Sequence, residues 1–75
     1  MSSGDLRAAY YQIRRQHDQL ARDHAVLFDG CAWQTIGNTE QRIGCDGYRL
    51  IVGQTEHGIE AQILDPTGKA IASYR

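Results

Sequence analysis

The chain has 75 residues, of which 41% are apolar, 23% charged and 8% aromatic. This composition is typical of a folded globular protein, and the length predicts a single domain over residues 1–75. Eight Lys and Arg against nine Asp and Glu give a net charge of -1, which argues against a strongly basic polyanion binder. No apolar run has the length of a membrane span or the character of a signal peptide, so we expect a cytoplasmic protein.

The first third of the chain has the pattern of one long amphipathic helix. Residues 5–28 contain neither Pro nor Gly, and Asp29-Gly30 supplies a stop signal. We therefore expect a helix over about 4–29, roughly 36 Å long. Its seam residues recur with four-three spacing: Leu6, Tyr10, Ile13, His17, Leu20, His24 and Leu27. The seam fits a helix lying across a sheet, and it also fits a helix that meets a second helix.

Beyond Gly30 the apolar period shortens and turn residues recur, which predicts an antiparallel sheet over about 31–75. The expected strands are 32–36, 41–45, 48–54, 59–64 and 69–74. The turns between them are Gly37-Asn38-Thr39, Asp46-Gly47, Glu56-His57-Gly58 and Asp65-Pro66-Thr67-Gly68. The predicted fold class is α+β, with one long N-terminal helix packed on a five-stranded antiparallel β-meander.

Loop lengths predict the strand register, and the register decides which side chains share a face. A two-residue loop after the second strand and three-residue loops after the third and fourth place Ile51 opposite Ile63 and Ile63 opposite Ile71. Both faces of the sheet are then apolar, and one helix covers only one of them. The uncovered face predicts a partner-binding site. Its residues would be Trp33, Arg42, Arg49, Ile51, Ile63 and Ile71.

These features favour a non-enzymatic protein-binding module. The free sheet face and a helix longer than the strands both predict a protein partner and a homodimer. No nucleophile constellation, acid pair or Gly-rich phosphate loop is present, so we expect neither an enzyme nor a bound cofactor. A stoichiometric inhibitor of the kind that phages and mobile elements encode, anti-CRISPR proteins among them, has this general character. That comparison is an analogy of class only.

The alternative hypothesis is a small nucleic-acid-binding regulator that uses the N-terminal helix. Arginine suits bidentate phosphate contact, and the helix carries four arginines: Arg7, Arg14, Arg15 and Arg22. Asp5, Asp18 and Asp23 share the helix and reduce the basic excess, which is why nucleic acid is possible but not favoured.

The cysteines and histidines give a further set of expectations. Cys31 and Cys45 are predicted to be reduced thiols, with a metal site and a disulfide as the weighed alternatives. The three histidines lack the spacing of a zinc site, so we expect no metal. His24 has Leu20, Leu27 and Phe28 around it on the helix, which predicts a buried neutral imidazole with a lowered pKa. For His17 the sequence leaves burial open.

Overall fold

The computed structural model describes residues 3–44 and 46–75, and it contains two helices followed by five strands. The helices are α1 (Ser3–Gln16) and α2 (Asp18–Leu27). The strands are β1 (Trp33–Ile36), β2 (Thr39–Ile43), β3 (Arg49–Thr55), β4 (Gly58–Leu64) and β5 (Ala70–Tyr74). They form one antiparallel sheet in the order β1-β2-β3-β4-β5. The expected α+β class and the five-stranded meander are therefore confirmed.

The expected single long helix is wrong, because the helix breaks at His17. The backbone of His17 is extended, with φ -134° and ψ 98°. Its Nε2 lies 2.9 Å from the carbonyl oxygen of Arg75, and its ring centroid lies 5.2 Å from that of Tyr74. No Pro or Gly lies at this position to break the helix. The break coincides instead with the contact of His17 to the end of β5. The chain measures 29 × 26 × 22 Å, so the expected helix overhang is absent.

The predicted register is also wrong, for four local reasons. The turn between β1 and β2 has two residues, Gly37 and Asn38, because Ile36 pairs with Thr39. The loop between β3 and β4 has two residues, not three, because Thr55 pairs with Gly58. The loop between β2 and β3 is longer than expected: residues 44 and 48 pair, with a backbone hydrogen bond of 2.8 Å. The loop after β4 has the predicted three residues, but a bulge beside Leu64 places Ile63 opposite Ala72 rather than Ile71.

The corrected register separates an apolar covered face from a mixed open face. The covered face of β3 and β4 presents four fully buried side chains: Leu50, Val52, Ala61 and Ile63. The helices bury Leu6, Tyr10, Ile13, Leu20 and Phe28 in the same core. Thus the helix seam packs on the sheet, as expected for a helix that lies across a sheet. On the open face, residues such as Gln41, Gln62 and Glu60 stand among isoleucines, so the expectation of two apolar faces is wrong.

One glycine is required where α2 approaches the sheet. Gly44 follows β2 and is buried. A Cβ at this position would lie 2.7 Å from the carbonyl oxygen of Leu27 and 3.6 Å from the ring of Phe28. Any larger residue would push the end of α2 off the sheet. This contact holds the connection between α2 and β1 beside β2, where the candidate site lies.

Candidate functional site

The structure distributes the six predicted partner residues over three regions. Trp33 and Arg42 are directly paired across β1 and β2. Ile63 is fully buried in the core, where it cannot contact a partner. Arg49 and Ile51 lie on β3, and Ile71 lies beside the β5 bulge with 53% of its surface exposed. The expectation that all six share one face is wrong, because a one-residue change of register moves a side chain to the opposite face.

Trp33 is the centre of a cluster of aromatic rings and guanidinium groups. The Arg42 guanidinium lies 5.4 Å from the Trp33 ring centroid, and that of Arg7 lies 5.8 Å from it. The indole Nε1 donates to the hydroxyl of Tyr11 at 3.4 Å. The Arg14 guanidinium lies 5.2 Å from the Tyr11 ring centroid. We call Arg7, Tyr11, Arg14, Trp33 and Arg42 together the aromatic–arginine surface.

A buried to partly buried chain of hydrogen bonds connects this surface to the protein interior. Arg42 donates through Nε to the carbonyl oxygen of Cys31 at 2.9 Å, and its Nη2 donates to the same oxygen. Its Nη1 donates to Nε2 of His24, whose Nδ1 bonds the hydroxyl of Tyr10. A guanidinium has no acceptor atom, so Nε2 must accept and Nδ1 carries the imidazole proton. Arg42 therefore joins β2, the loop after α2 and both helices.

The surroundings of His24 and Tyr10 favour their neutral forms. Burial, together with the smaller effects of the Arg42 and Arg14 charges, lowers the pKa of His24 to about 4, against a weaker opposing effect of Asp29. Burial also raises the pKa of Tyr10 to about 12, although the nearby arginines oppose this shift. His24 is only 7% exposed, which confirms the expected burial of this histidine. His17, for which no expectation was made, is half-buried at the helix break.

Glu40 is a buried carboxylate beneath the exposed edge of the same surface. Its side chain is fully buried, and Nε of Arg7 donates to its Oε1 at 2.6 Å. Its Oε2 has no hydrogen-bond partner among residues 3–44 and 46–75. Hydrogen bonding from Thr35, and then from Arg7, holds the pKa of the Glu40 carboxyl below its usual range, against the effect of burial. The ion pair fixes Arg7 over Trp33 and neutralises one of the three guanidinium charges.

The four helix arginines do not form one basic face. Arg7 and Arg14 are half-exposed members of the aromatic–arginine surface, and Arg7 is already paired with Glu40. Arg15 and Arg22 are exposed and lie on different helices. The structure therefore joins residues of both functional hypotheses in one place: Arg7 and Arg14 from the helix, and Trp33 and Arg42 from the sheet.

The structure tests only part of what was predicted for the cysteines and for a metal site. Cys31 is half-buried and forms no disulfide within the described residues. Cys45 lies outside the described residues, so the expected separation of the two thiols stays a prediction. In the part of the chain that the structure describes, no group of three or more His, Cys, Asp and Glu side chains is placed to hold a metal ion.

A shallow groove on the open sheet face is the second candidate. It has a volume of about 180 Å³ and lies beside Gly53, where a Cβ would come within 3.2 Å of the Thr39 methyl group. Its lining residues are Thr39, Ile51, Gly53, Gln54, Thr55, Glu60 and Gln62. The Glu60 carboxylate accepts hydrogen bonds from Gln62 at 3.0 Å and from Ser73. Since these polar groups bond one another, the groove has fewer groups left to recognise a ligand than the aromatic–arginine surface.

Comparisons with known proteins give no further assignment. No family model matches the chain, and neither a curated protein nor a solved structure matches it. None of the described helices is long and apolar enough to cross a membrane. The geometry of the candidate site is therefore the basis for assigning a function.

Sequence reasoning missed two members of the site, Tyr11 and Glu40. Tyr11 lies one position from the seam residue Tyr10, and the sequence marks it only as an aromatic side chain among arginines. Glu40 was expected to precede the second strand, whereas it lies inside β2 and faces α1. Its alternation with Arg42 is the available signal, because residues two apart in a strand share a face.

Proposed function

We propose that this chain is a non-enzymatic protein-binding module and that the aromatic–arginine surface contacts its partner. The observation that carries the proposal is the packing of Arg7, Arg14 and Arg42 against the rings of Tyr11 and Trp33. Trp, Tyr and Arg are the residues that most often contribute the binding energy of protein interfaces. Tyr11 is 38% exposed, so part of this aromatic surface is available to a partner.

Charge indicates the chemistry of the partner. Glu40 pairs with Arg7, whereas Arg14 and Arg42 lie against aromatic rings, which places positive charge on this surface in a chain whose net charge is -1. An acidic protein surface would be complementary to it. A stoichiometric inhibitor that covers an acidic site on its target is one form of such a module.

The experiment is a matched affinity purification from cells that express the protein. Tagged wild type should recover one protein in stoichiometric amount, and Tyr11→Ala or Arg14→Ala should lose it. Arg22→Ala is the control, because Arg22 is an exposed arginine outside the cluster. Equal recovery by all variants would contradict the proposed surface.

Nucleic acid is the competing outcome, and a further variant tests it. Binding to generic DNA or RNA that falls steeply with salt, and that Arg14→Ala with Arg15→Ala abolishes, would overturn the protein-binding proposal. The structure offers a reason to favour protein: Arg7 is held by Glu40, so one of the four arginines is not free for phosphate.

Self-association stays a prediction, although its original reason has changed. It was expected from a second apolar sheet face, and that face is mixed in the structure. Ile71 and Ile36 are the large apolar side chains still exposed on the sheet, at 53% and 43%. Sedimentation at micromolar concentration separates an 8.4 kDa monomer from a particle of twice that mass.

A further inference from the structure

We propose that β1 is a docking strand, and that a short, extended, acidic segment of a partner protein pairs along its open edge as a sixth strand. This inference rests on the proposed protein-binding function and specifies how the partner is held. It follows from three observations: the free backbone groups of β1, the arginines beside it, and the contrast with β5.

The free backbone groups follow from the hairpin between β1 and β2. Ile36 pairs with Thr39 across the two-residue loop Gly37-Asn38, and Gly37 has φ +59°, as the first loop residue of a type II′ turn requires. The residues that close such a loop exchange backbone hydrogen bonds, and the pattern alternates along an antiparallel pair. Gln34 and Ile36 therefore bond to β2, whereas the N–H and C=O groups of Trp33 and Thr35 point to the open edge.

The edge itself is accessible and uncharged. Among residues 3–44 and 46–75, β1 pairs with β2 alone. Three of the four residues of β1 are exposed. Its sequence is Trp-Gln-Thr-Ile, with no Lys, Pro or bulge of the kind that blocks strand addition. A strand of four residues offers pairing to a segment of similar length.

The arginines define the side chains that an added strand would carry. Trp33 and Thr35 face the helices, so alternate residues of the added strand would also lie on that side, near Tyr11 and Arg14. Acidic side chains there would meet the positive charge of the aromatic–arginine surface. On the open side the neighbours are Gln34 and Ile36, beside which an apolar side chain fits. The expected segment therefore alternates acidic and apolar residues.

The opposite edge of the sheet is less suited to pairing. β5 carries a register irregularity beside Leu64, and a bulge interrupts the regular row of backbone groups that an added strand needs. The carbonyl oxygen of Arg75, just beyond β5, already accepts a hydrogen bond from His17. No arginine–aromatic cluster is described beside β5, which leaves β1 as the edge with both pairing capacity and complementary charge.

The test uses a random seven-residue peptide library selected against the full-length immobilised chain. Enriched peptides should alternate acidic and apolar residues. Thr35→Pro removes the N–H that points to the open edge and leaves the bonds to β2 in place, so it should weaken an enriched peptide by about tenfold or more. Thr35→Val is the matched control, since it also loses the hydroxyl but keeps that N–H, so Thr35→Pro should bind an enriched peptide about tenfold more weakly than Thr35→Val does.

Amide hydrogen exchange on the wild-type chain gives a readout that does not depend on the folding of a variant. Saturation with an enriched peptide should slow exchange at Trp33 and Thr35 and leave Gln34 and Ile36, already bonded to β2, little changed. Unchanged exchange at Trp33 and Thr35 in the saturated complex would overturn the docking strand.

Failure of strand addition and failure of the proposed protein-binding function give different results. Peptides that need Tyr11 and Arg14 but bind Thr35→Pro normally would refute strand addition and leave the proposed protein-binding surface standing. The absence of any enriched peptide would count against both. A dimer of the chain alone that Thr35→Pro converts to a monomer would show that a second copy occupies the edge, and it would overturn the acidic segment as occupant.

Discussion

The two halves of the covered sheet face are held to the helices by different interactions. Over β3 and β4 the contacts are apolar, made by fully buried residues such as Leu50 and Ile63. Over β1 and β2 the contacts are hydrogen bonds and ring–guanidinium pairs around Arg42 and Trp33. Apolar packing is non-directional and supplies stability, whereas the polar half requires specific geometry. The comparison indicates that the first half supplies most of the apolar stability and that the second half carries the candidate site.

The largest expected effect is in the apolar half. Leu50→Ala should lower the free energy of unfolding by about 2–5 kcal/mol, because it removes a fully buried side chain and leaves a cavity. Urea unfolding followed by circular dichroism measures this loss. Ile51→Ala, on the opposite face of the same strand, is the control and should cost clearly less. Equal losses for the two variants would contradict the assigned faces.

In the polar half, Arg42→Met should cost about 1–3 kcal/mol of unfolding free energy, because it leaves His24 Nε2 and the carbonyl oxygen of Cys31 without their donor. Arg42→Lys keeps the charge but lacks the planar fork that reaches both acceptors, so it should recover only part of the loss. Full recovery by lysine would show that charge alone matters at this position. Urea unfolding of the three proteins decides between these outcomes.

Acidification should weaken the polar half through His24. Its pKa is about 4 in the folded chain and about 6.5 in the unfolded chain, so the unfolded chain binds the proton first as the pH falls. The stabilising contribution is complete above about pH 6.5 and is lost as the pH falls toward 4. From pH 7.5 to 5.5 the wild type should lose about 1 kcal/mol through this group.

His24→Leu is the control for the pH measurement, compared by its change between the two pH values rather than by its absolute stability. His17 and His57 are present in both proteins and cancel in the comparison. If the wild type loses no more stability on acidification than His24→Leu, the imidazole is not held neutral by the contacts described above.

The smallest expected effect on stability is at the exposed rim of the site. Tyr11→Ala should lower the free energy of unfolding by about 0.5–1 kcal/mol, because it removes the acceptor of the Trp33 indole from a side chain that is 38% exposed. Binding of the captured partner should nevertheless weaken by about 2 kcal/mol if Tyr11 is one of the anchoring aromatics. Thermal melts and a binding titration on one preparation test both statements, and a large loss of stability would mean that Tyr11 is structural.

The sequence predicted the meander but not its register. Turn residues such as Asp65-Pro66-Thr67-Gly68 mark strand ends because they adopt the backbone angles that turns require, and this loop has its predicted three residues. The other three loops differ from their expected lengths, and a bulge near Ile71 adds a further shift. Because the alternation has period two, such shifts reassign whole faces.

The candidate site was predictable only in pieces. Burial of His24 followed from its apolar neighbours on the helix, and it is confirmed. The pairing of Trp33 with Arg42 depends on the register and was not expected. The helix break at His17 has no sequence signal of its own, since the seam spacing continues through it. It coincides with contacts to Tyr74 and Arg75, which lie far along the chain.

The order of elements has a consequence for synthesis on the ribosome. α1 packs on β2, β3 and β4, so its apolar side emerges before the strands that cover it. The whole of α2 and three strands separate α1 from β4, the last of them. Neighbouring strands of the meander can pair as they appear, because their contacts are local. α1 cannot complete its packing until β4 has been synthesised. Chaperones that recognise exposed apolar helices would be able to bind α1 during this interval, which ends when β4 leaves the exit tunnel.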